Sequence, residues 1–333
     1  MSLSAQVIEM VKNLKIVFEL NTKPNDSVLV ITDSAQDINV WMALATAGRV
    51  YGCEITVALM ADPRSTHREP PPQTIIEAMK VADLTICATS KEFHTGGHFK
   101  HATDAGHKFL IMEEVTADIL MGPAVKADYH LMNEVGPRLK EIMDRGGQWH
   151  IKSETGTDFT CEAKAQSGRW MAGKADLSNN SWGIALADFP GGEFGADPIH
   201  GSGNGRVVWD TSVHYPRGLL REPISLTILK GKVVRIEGGI EAQQLIHFIK
   251  EHSRGQNDEF DIELSIGFNP KSPITGNLRT DKKHYGKIHT AIGDLHKGQL
   301  HIDGVTQKPT IYIGGDLLVE KGVIKVPPLD TWV

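Results

Sequence analysis

Ser27-Val28-Leu29-Val30-Ile31-Thr32 is a short, β-branched run without polar alternation, the pattern of a strand buried on both faces. Outward from it, helical and strand signals alternate. Before it, Val7, Met10, Val11, Leu14 and Val17 recur at helical spacing. After it, the pattern predicts a helix over 35–50, a strand over 54–60, a helix over 74–81 and a strand over 84–88. A helix around 97–105 and a strand over 108–112 follow. Strands alternating with helices imply a mostly parallel sheet with helices on both faces. Pro70-Pro71-Pro72 reads as a rigid loop entry within this unit.

Near Gly147 the texture changes. Segments 148–153, 158–163, 205–214, 224–229 and 232–237 carry strand signals between Gly, Pro and Asp/Asn turns, with Lys230-Gly231-Lys232 as a hairpin turn. One helix is expected over 241–252, where Ala242, Leu245, Ile246 and Ile249 form an apolar stripe. The expected division is an α/β domain over 1–147 and a β-rich α+β domain over 148–333.

Composition narrows the class of function. The chain has 333 residues, 40% hydrophobic and 23% charged, and a formal charge of -6. That composition is an ordinary globular one. With no net basic field, nucleic acid and anionic lipid are not expected partners, and a small ligand is. Cys53, Cys87 and Cys161 are far apart and form no Cys-x-x-Cys pair, as for free thiols in a reducing compartment. Glu9, Lys12, Lys15 and Glu19 interrupt the first twenty residues, so no signal-peptide core is expected. Nor does any apolar run approach the roughly 20 residues of a membrane span. A cytoplasmic protein is expected.

Ligand-type residues concentrate near the C-terminus. His284, His289, His296 and His301 share one stretch with Asp281, Asp294 and Asp303. Imidazole and carboxylate together suit Zn, Mn, Fe or Co. In His301-Ile302-Asp303 strand alternation would put both polar side chains on one face, where one cation can bridge them. By the same alternation Asp261, Glu263 and Ser265 share a face. His289 is flanked by apolar residues, and Glu193 follows Gly191-Gly192, where a backbone can approach a ligand closely. A hairpin with surface histidines, a solvated acidic edge and a core histidine are the plainer accounts of the same residues. In the first half, His94 falls at a βα junction, where ligands of parallel sheets bind. Arg169 is a weaker candidate for holding a substrate carboxylate, a surface arginine being the plainer account.

These segments carry a resemblance. Phe189-Pro190-Gly191-Gly192-Glu193, Ile262–Pro270, Ile288–Asp294 and Leu300–Gly304 resemble, in order and spacing, the blocks of the aminopeptidase T/aminopeptidase S metallopeptidases. The resemblance implies a pair of divalent metals with Glu193, Glu263, His289, His301 and Asp303 as ligands. His296 stands where that group has a tyrosine. A second branch of the superfamily is similar too, the Fe(II)-dependent 2,5-dihydroxypyridine 5,6-dioxygenase. Gly238-Gly239-Ile240-Glu241-Ala242 resembles its Gly-Gly-x-Glu-Ala block, and Lys91–Thr95 the place of its acid-base histidine, here His94. Its iron is held by two His and an Asp; His301 and Asp303 match, while Glu263 stands where the other His is found.

Weighed together, these features point first to a hydrolase using metal-activated water on a peptide or small amide bond. Glu263, His289, His301 and Asp303 would hold Zn, Mn or Co, His296 would offer a sixth position, and Glu193 or His94 would be the base. The alternative is an Fe(II) ring-cleaving dioxygenase acting on a dihydroxypyridine-like heterocycle. A third reading is a metal-free binding protein. The resembled enzymes form dimers, so a homodimer or higher homo-oligomer is expected.

Overall fold

The run that opens the reading forms the strand Ser27–Asp33 in the computed structural model, which describes residues 5–61, 70–94, 97–252, 260, 263–293 and 300–332. Its side chains from Val28 to Asp33 are all buried. It lies inside a five-stranded sheet between Glu54–Met60 and Leu84–Cys87, with Val28 in register with Ile55 on one side and Leu84 on the other. Lys108–Ile111 and Leu186–Asp188 continue the sheet, and every pairing in it is parallel. Helices flank it. Ala5–Asn21 buries Val7, Met10, Leu14, Val17 and Phe18 along one stripe, the helical period that the sequence showed.

The helix expected over 35–50 starts later, at Ile38. Asp33 accepts hydrogen bonds from the backbone N–H groups of Ala35 and Gln36, holding those residues in a turn, and Asp37 caps the helix through Asn39. The helix around 97–105 contracts to Lys100–Thr103. Leu186–Asp188 had no strand expectation; three residues are too few to show a period.

The chain divides into two compact units, 1–134 with 171–191, and 135–170 with 192–333. The β-rich texture does begin with the strand Gly147–Lys152, but the units interleave along the sequence rather than meeting at one cut between 147 and 148. The cause in the first unit is Leu186–Asp188, which pairs with Lys108–Ile111. The helix Tyr129–Asp144 was not expected either. Gly136-Pro137 lies inside it, and that dipeptide reads as a breaker. A Cβ on Gly136 would run into the Trp170 indole, so close packing selects the glycine.

The second unit holds two sheets. In the first, Lys232–Glu237, Ile224–Leu229, Asn204–Trp209, Asp158–Ala163, Gly147–Lys152, Thr310–Ile313, Asp316–Glu320 and Val323–Ile324 lie side by side. All its pairings are antiparallel. The strand expected over 205–214 ends at Trp209, after which the backbone N–H groups of Asp210 and Thr211 turn to the Val305 carbonyl. The second sheet has the order His301–Thr306, Ile288–Gly293, Leu264–Gly267, Glu193–Ala196, Arg169–Met171, and it carries the site.

Candidate metal centre

Every residue of the strands Ile288–Gly293 and His301–Thr306 is buried. Strands covered on both faces normally read as continuous apolar runs. These instead place His289, Thr290, His301, Asp303 and Thr306 inside, and buried polar groups are costly unless they find partners. The register shows what they face. Ser265 lies opposite His289, which lies opposite Val305; Ala291 lies opposite Asp303 and Gly293 opposite His301. Glu193 and Glu263 precede Gly195 and Ser265 by two residues, and Gly195 pairs with Ser265. By strand alternation Glu193, Glu263, His289, His301 and Asp303 therefore share one face.

Small residues leave room on that face. At Gly293, with φ of 127°, a Cβ would collide with the Leu300 carbonyl, so only glycine fits where the strand Ile288–Gly293 ends opposite His301. A Cβ on Gly195 would meet the Leu264 carbonyl and the Ser265 hydroxyl.

The side chains converge through Glu263. Its Oε1 is 3.3 Å from His289 Nε2, and its Oε2 is 3.5 Å from His301 Nε2. His301 Nε2 is in turn 3.0 Å from Asp303 Oδ1, and His289 Nε2 is 3.8 Å from Glu193 Oε2. Two groups of donors result, Glu193–Glu263–His289 and Glu263–His301–Asp303, each with its ligand atoms within 4.8 Å. His296, expected as a sixth position, lies outside the described residues.

Three cations, Arg169 and Lys283 buried and Lys282 nearly so, accompany the carboxylates. Lys282 Nζ donates to Asp303 Oδ2 at 2.6 Å, and Lys283 Nζ donates to Glu193 Oε2. Arg169, whose side chain is 2% exposed, donates from Nη1 to Asp197 at 2.8 Å. From Nη2 it donates to Ser265 Oγ at 2.9 Å and to Glu263 at 3.4 Å. The reading of Arg169 as a surface residue is thus corrected: the sheet edge draws it inward to two carboxylates. Lys282 and Lys283 went unnoticed because a Lys-Lys-His run looks like a solvated turn. The short helix Leu278–Asp281 carries them inward, anchored by buried Asp281, which accepts from the backbone N–H groups of Thr275 and Gly276.

These charges set the ionisation. Burial favours neutral carboxyls, but His289, His301 and Arg169 outweigh it and hold Glu263 well below the usual range. Asp303 is likewise held well below it, burial being overcome by Lys282 and His301. Glu193 is lowered against burial mainly by Lys283. His301 goes the other way: burial opposes its charge, yet Asp303 and Glu263 push its pKa up to about 10. His214 Nδ1 accepts the backbone N–H of Asp303 at 3.0 Å, so that nitrogen cannot also donate to the Asp303 carboxylate 3.7 Å away.

The donor set fits a divalent ion. Two ligands about 2.1 Å from a metal, at angles of roughly 90–110°, lie about 3.0–3.4 Å apart. The His301–Asp303 separation of 3.0 Å falls within that spacing, and the His301–Glu263 separation of 3.5 Å lies at its upper edge. Asp303 Oδ1 is buried and accepts no hydrogen bond among the described residues, leaving a lone-pair donor beside the imidazole.

His94 belongs to the first unit. Its Nδ1 lies 2.6 Å from Glu113 Oε2, and its backbone N–H donates to Glu113 Oε1, also at 2.6 Å. Both residues follow neighbouring parallel strands, whose ends pair Cys87 with Ile111, so they stand at the carboxyl edge of the sheet. Glu113 is fully buried and is a further residue that sequence reasoning missed.

An α/β unit with a parallel sheet, together with a β-rich unit whose buried His, Asp and Glu side chains are spaced for a metal, defines the class: an α/β protein with a candidate metal centre. Within that class the chain belongs to the 2,5-dihydroxypyridine 5,6-dioxygenase (NicX) family, whose sequence profile matches residues 9–284. The match takes in His94, Glu193 and Glu263 and ends before His289, His301 and Asp303. The fold is similar to that of 2,5-dihydroxypyridine dioxygenase from Pseudomonas putida KT2440, with a TM-score of 0.81 and 16% identity over 97% of this chain and 99% of that one. It is also similar to AmpT from Thermus thermophilus, with a TM-score of 0.69 and 12% identity over 97% and 100% of the two chains. No curated protein sequence matches significantly. Among the described residues no helix is long and apolar enough to cross a membrane.

Proposed function

We propose that the chain is a metal-dependent ring-cleaving dioxygenase acting on a hydroxylated N-heterocycle of the dihydroxypyridine type. The observation that carries this reading is the family match over residues 9–284. The higher fold similarity to the Pseudomonas dioxygenase than to AmpT accords with it. It takes the place of the hydrolase as the preferred reading.

Glu263, His301 and Asp303 would hold the ion, and Fe(II) bound there would supply the one-electron chemistry that lets dioxygen react with an electron-rich ring. The rest falls to the chain's own side chains. Lys282 fixes Asp303 through Oδ2 and leaves Oδ1 turned to His301. Arg169 fixes Glu263, and Ser265 joins the two. With Nδ1 engaged by Glu113, His94 presents Nε2 as its exchanging nitrogen, the acid-base part that the resemblance assigns to this position.

Glu263 favours a second reading, because a carboxylate-rich set suits the metallopeptidase chemistry. One comparison separates the two. Metal-stripped protein is reloaded with Fe(II) without oxygen and offered hydroxylated pyridines in an oxygen electrode, while Zn-, Mn- and Co-loaded samples are offered short peptides and small amides. Oxygen uptake matched by loss of ring absorbance is expected; release of amine or amino acid with no oxygen uptake would overturn the dioxygenase reading.

A further inference from the structure

Lys283 has no part in the chemistry above, yet it is completely buried against the site. Its ammonium bonds Glu193 Oε2, the oxygen that also lies 3.8 Å from His289 Nε2. Glu193–Glu263–His289 has the same donor types as Glu263–His301–Asp303 and shares Glu263 with it. On donor chemistry alone, the cluster would take two cations bridged by that carboxylate.

Three observations separate the halves. In the Asp303 half, Lys282 binds Oδ2 and Oδ1 accepts no hydrogen bond among the described residues. In the Glu193 half, the oxygen nearest the imidazole already carries an ammonium. There His289 lies 3.3 Å from Glu263, within the spacing of two ligands on one ion, but 3.8 Å from Glu193, beyond the roughly 3.0–3.4 Å expected. Charge points the same way. Counting Asp197, the nearer partner of Arg169, four carboxylates face Arg169, Lys282 and Lys283. One dication already turns that balance positive, and a second would add to the excess beside an ammonium that cannot retreat to water.

We propose that Lys283 is a built-in cation occupying the Glu193–Glu263–His289 half, so that the cluster takes one divalent ion, at Glu263–His301–Asp303. The inference rests on the metal reading of the site. It concerns how many ions bind and holds for either reaction.

The test is a titration of the metal-stripped full-length chain with Mn(II), read by elemental analysis after desalting and by electron paramagnetic resonance. The wild type is expected to hold one ion per chain with the signal of an isolated Mn(II). Lys283→Ala should hold two, with the broadened signal of an exchange-coupled pair, and Glu193→Gln added to it should return the count to one. Lys283→Arg, which keeps the charge, should stay at one. Two ions in the wild type or in Lys283→Arg, or one in a folded Lys283→Ala, would overturn the proposal. If Lys283→Ala does not fold, the counts for the wild type and Lys283→Arg still decide. No bound ion in a folded wild type would defeat the metal reading itself and this proposal with it.

Discussion

Lys282→Met tests whether the buried charges are arranged to receive a cation. The substitution keeps the length of the side chain and removes the ammonium that sits 2.6 Å from Asp303 Oδ2. Asp303 is fully buried and Lys282 nearly so, so the carboxylate loses its main counter-charge in a place that water does not reach. Breaking one side of such a pair costs about 3–5 kcal/mol. Spread over the unfolding entropy of a chain this long, roughly 0.7 kcal/mol per degree, that is a fall of about 4–7 °C in Tm when unfolding is one transition. A divalent ion at Asp303 supplies the lost charge, and the ammonium no longer repels it. The deficit should therefore be large in EDTA and should shrink as Mn(II) is added, while the variant binds Mn(II) more tightly than the wild type by up to about the same 3–5 kcal/mol. Differential scanning fluorimetry across an Mn(II) series measures both. An equal deficit with and without metal would show that Lys282 is merely structural, and no deficit at all would show that Asp303 is not held as the geometry indicates.

Three further perturbations follow from the same geometry. In the metal-free protein the pKa of His301 is about 10, above its ordinary 6.5; its imidazolium therefore adds stability that is complete below about pH 6.5 and lost as pH rises through about 10. Metal must displace that proton, so Mn(II) affinity should rise up to tenfold per pH unit below about 10, with close to one proton released per ion when titration calorimetry is repeated in buffers of different ionisation enthalpy. Gly293→Ala forces a residue with φ of 127° against the Leu300 carbonyl; stability should fall by about 1–3 kcal/mol or more, and Mn(II) affinity should fall with it as His301 shifts, whereas unchanged thermal unfolding would refute the strain argument. His94→Ala should lower the turnover rate by about 10²–10⁴-fold with metal content unchanged, and Glu113→Gln should lower it less, since the amide can still engage the ring but lacks the charge. Full activity in His94→Ala would remove it from the reaction.

What the sequence made legible was whatever depends on period. The strand over 54–60 has the bounds expected of it, because an apolar run that directly follows a helix cap leaves little freedom. His301 and Asp303 share a face because alternation admits no other outcome in a strand. Illegible were features fixed by contact across the fold. The helix Tyr129–Asp144 hides behind Gly136-Pro137, a breaker locally but a packing solution under Trp170. Arg169, Lys282 and Lys283 look like solvent charges until the sheet shows which carboxylates they face. Glu113, which fixes the ring of His94, lies nineteen residues away on the next strand's end, and no spacing rule relates the two.

Glu263 is the residue on which the chemistry turns. The resemblance to the dioxygenase branch puts a neutral imidazole at this position, so a carboxylate adds one negative charge to the ion's ligands. Taken alone, that would favour the oxidised state of an iron and a more hydrolytic metal. It is not alone: Arg169 lies 3.4 Å from the same carboxylate, with Ser265 donating to it as well. In a buried setting a guanidinium at that distance returns much of the added charge. The exchange of His for Glu is then partly offset electrostatically, and what changes most is geometry, since Glu263 reaches His289 with one oxygen and His301 with the other. Neutralising the guanidinium as Arg169→Met should separate the two effects. The Fe(III)/Fe(II) potential of the loaded protein is expected to fall, because the uncompensated carboxylate stabilises the higher charge, while the ion count stays at one. An unchanged potential would mean that Arg169 serves the strand edge and Asp197 rather than the metal.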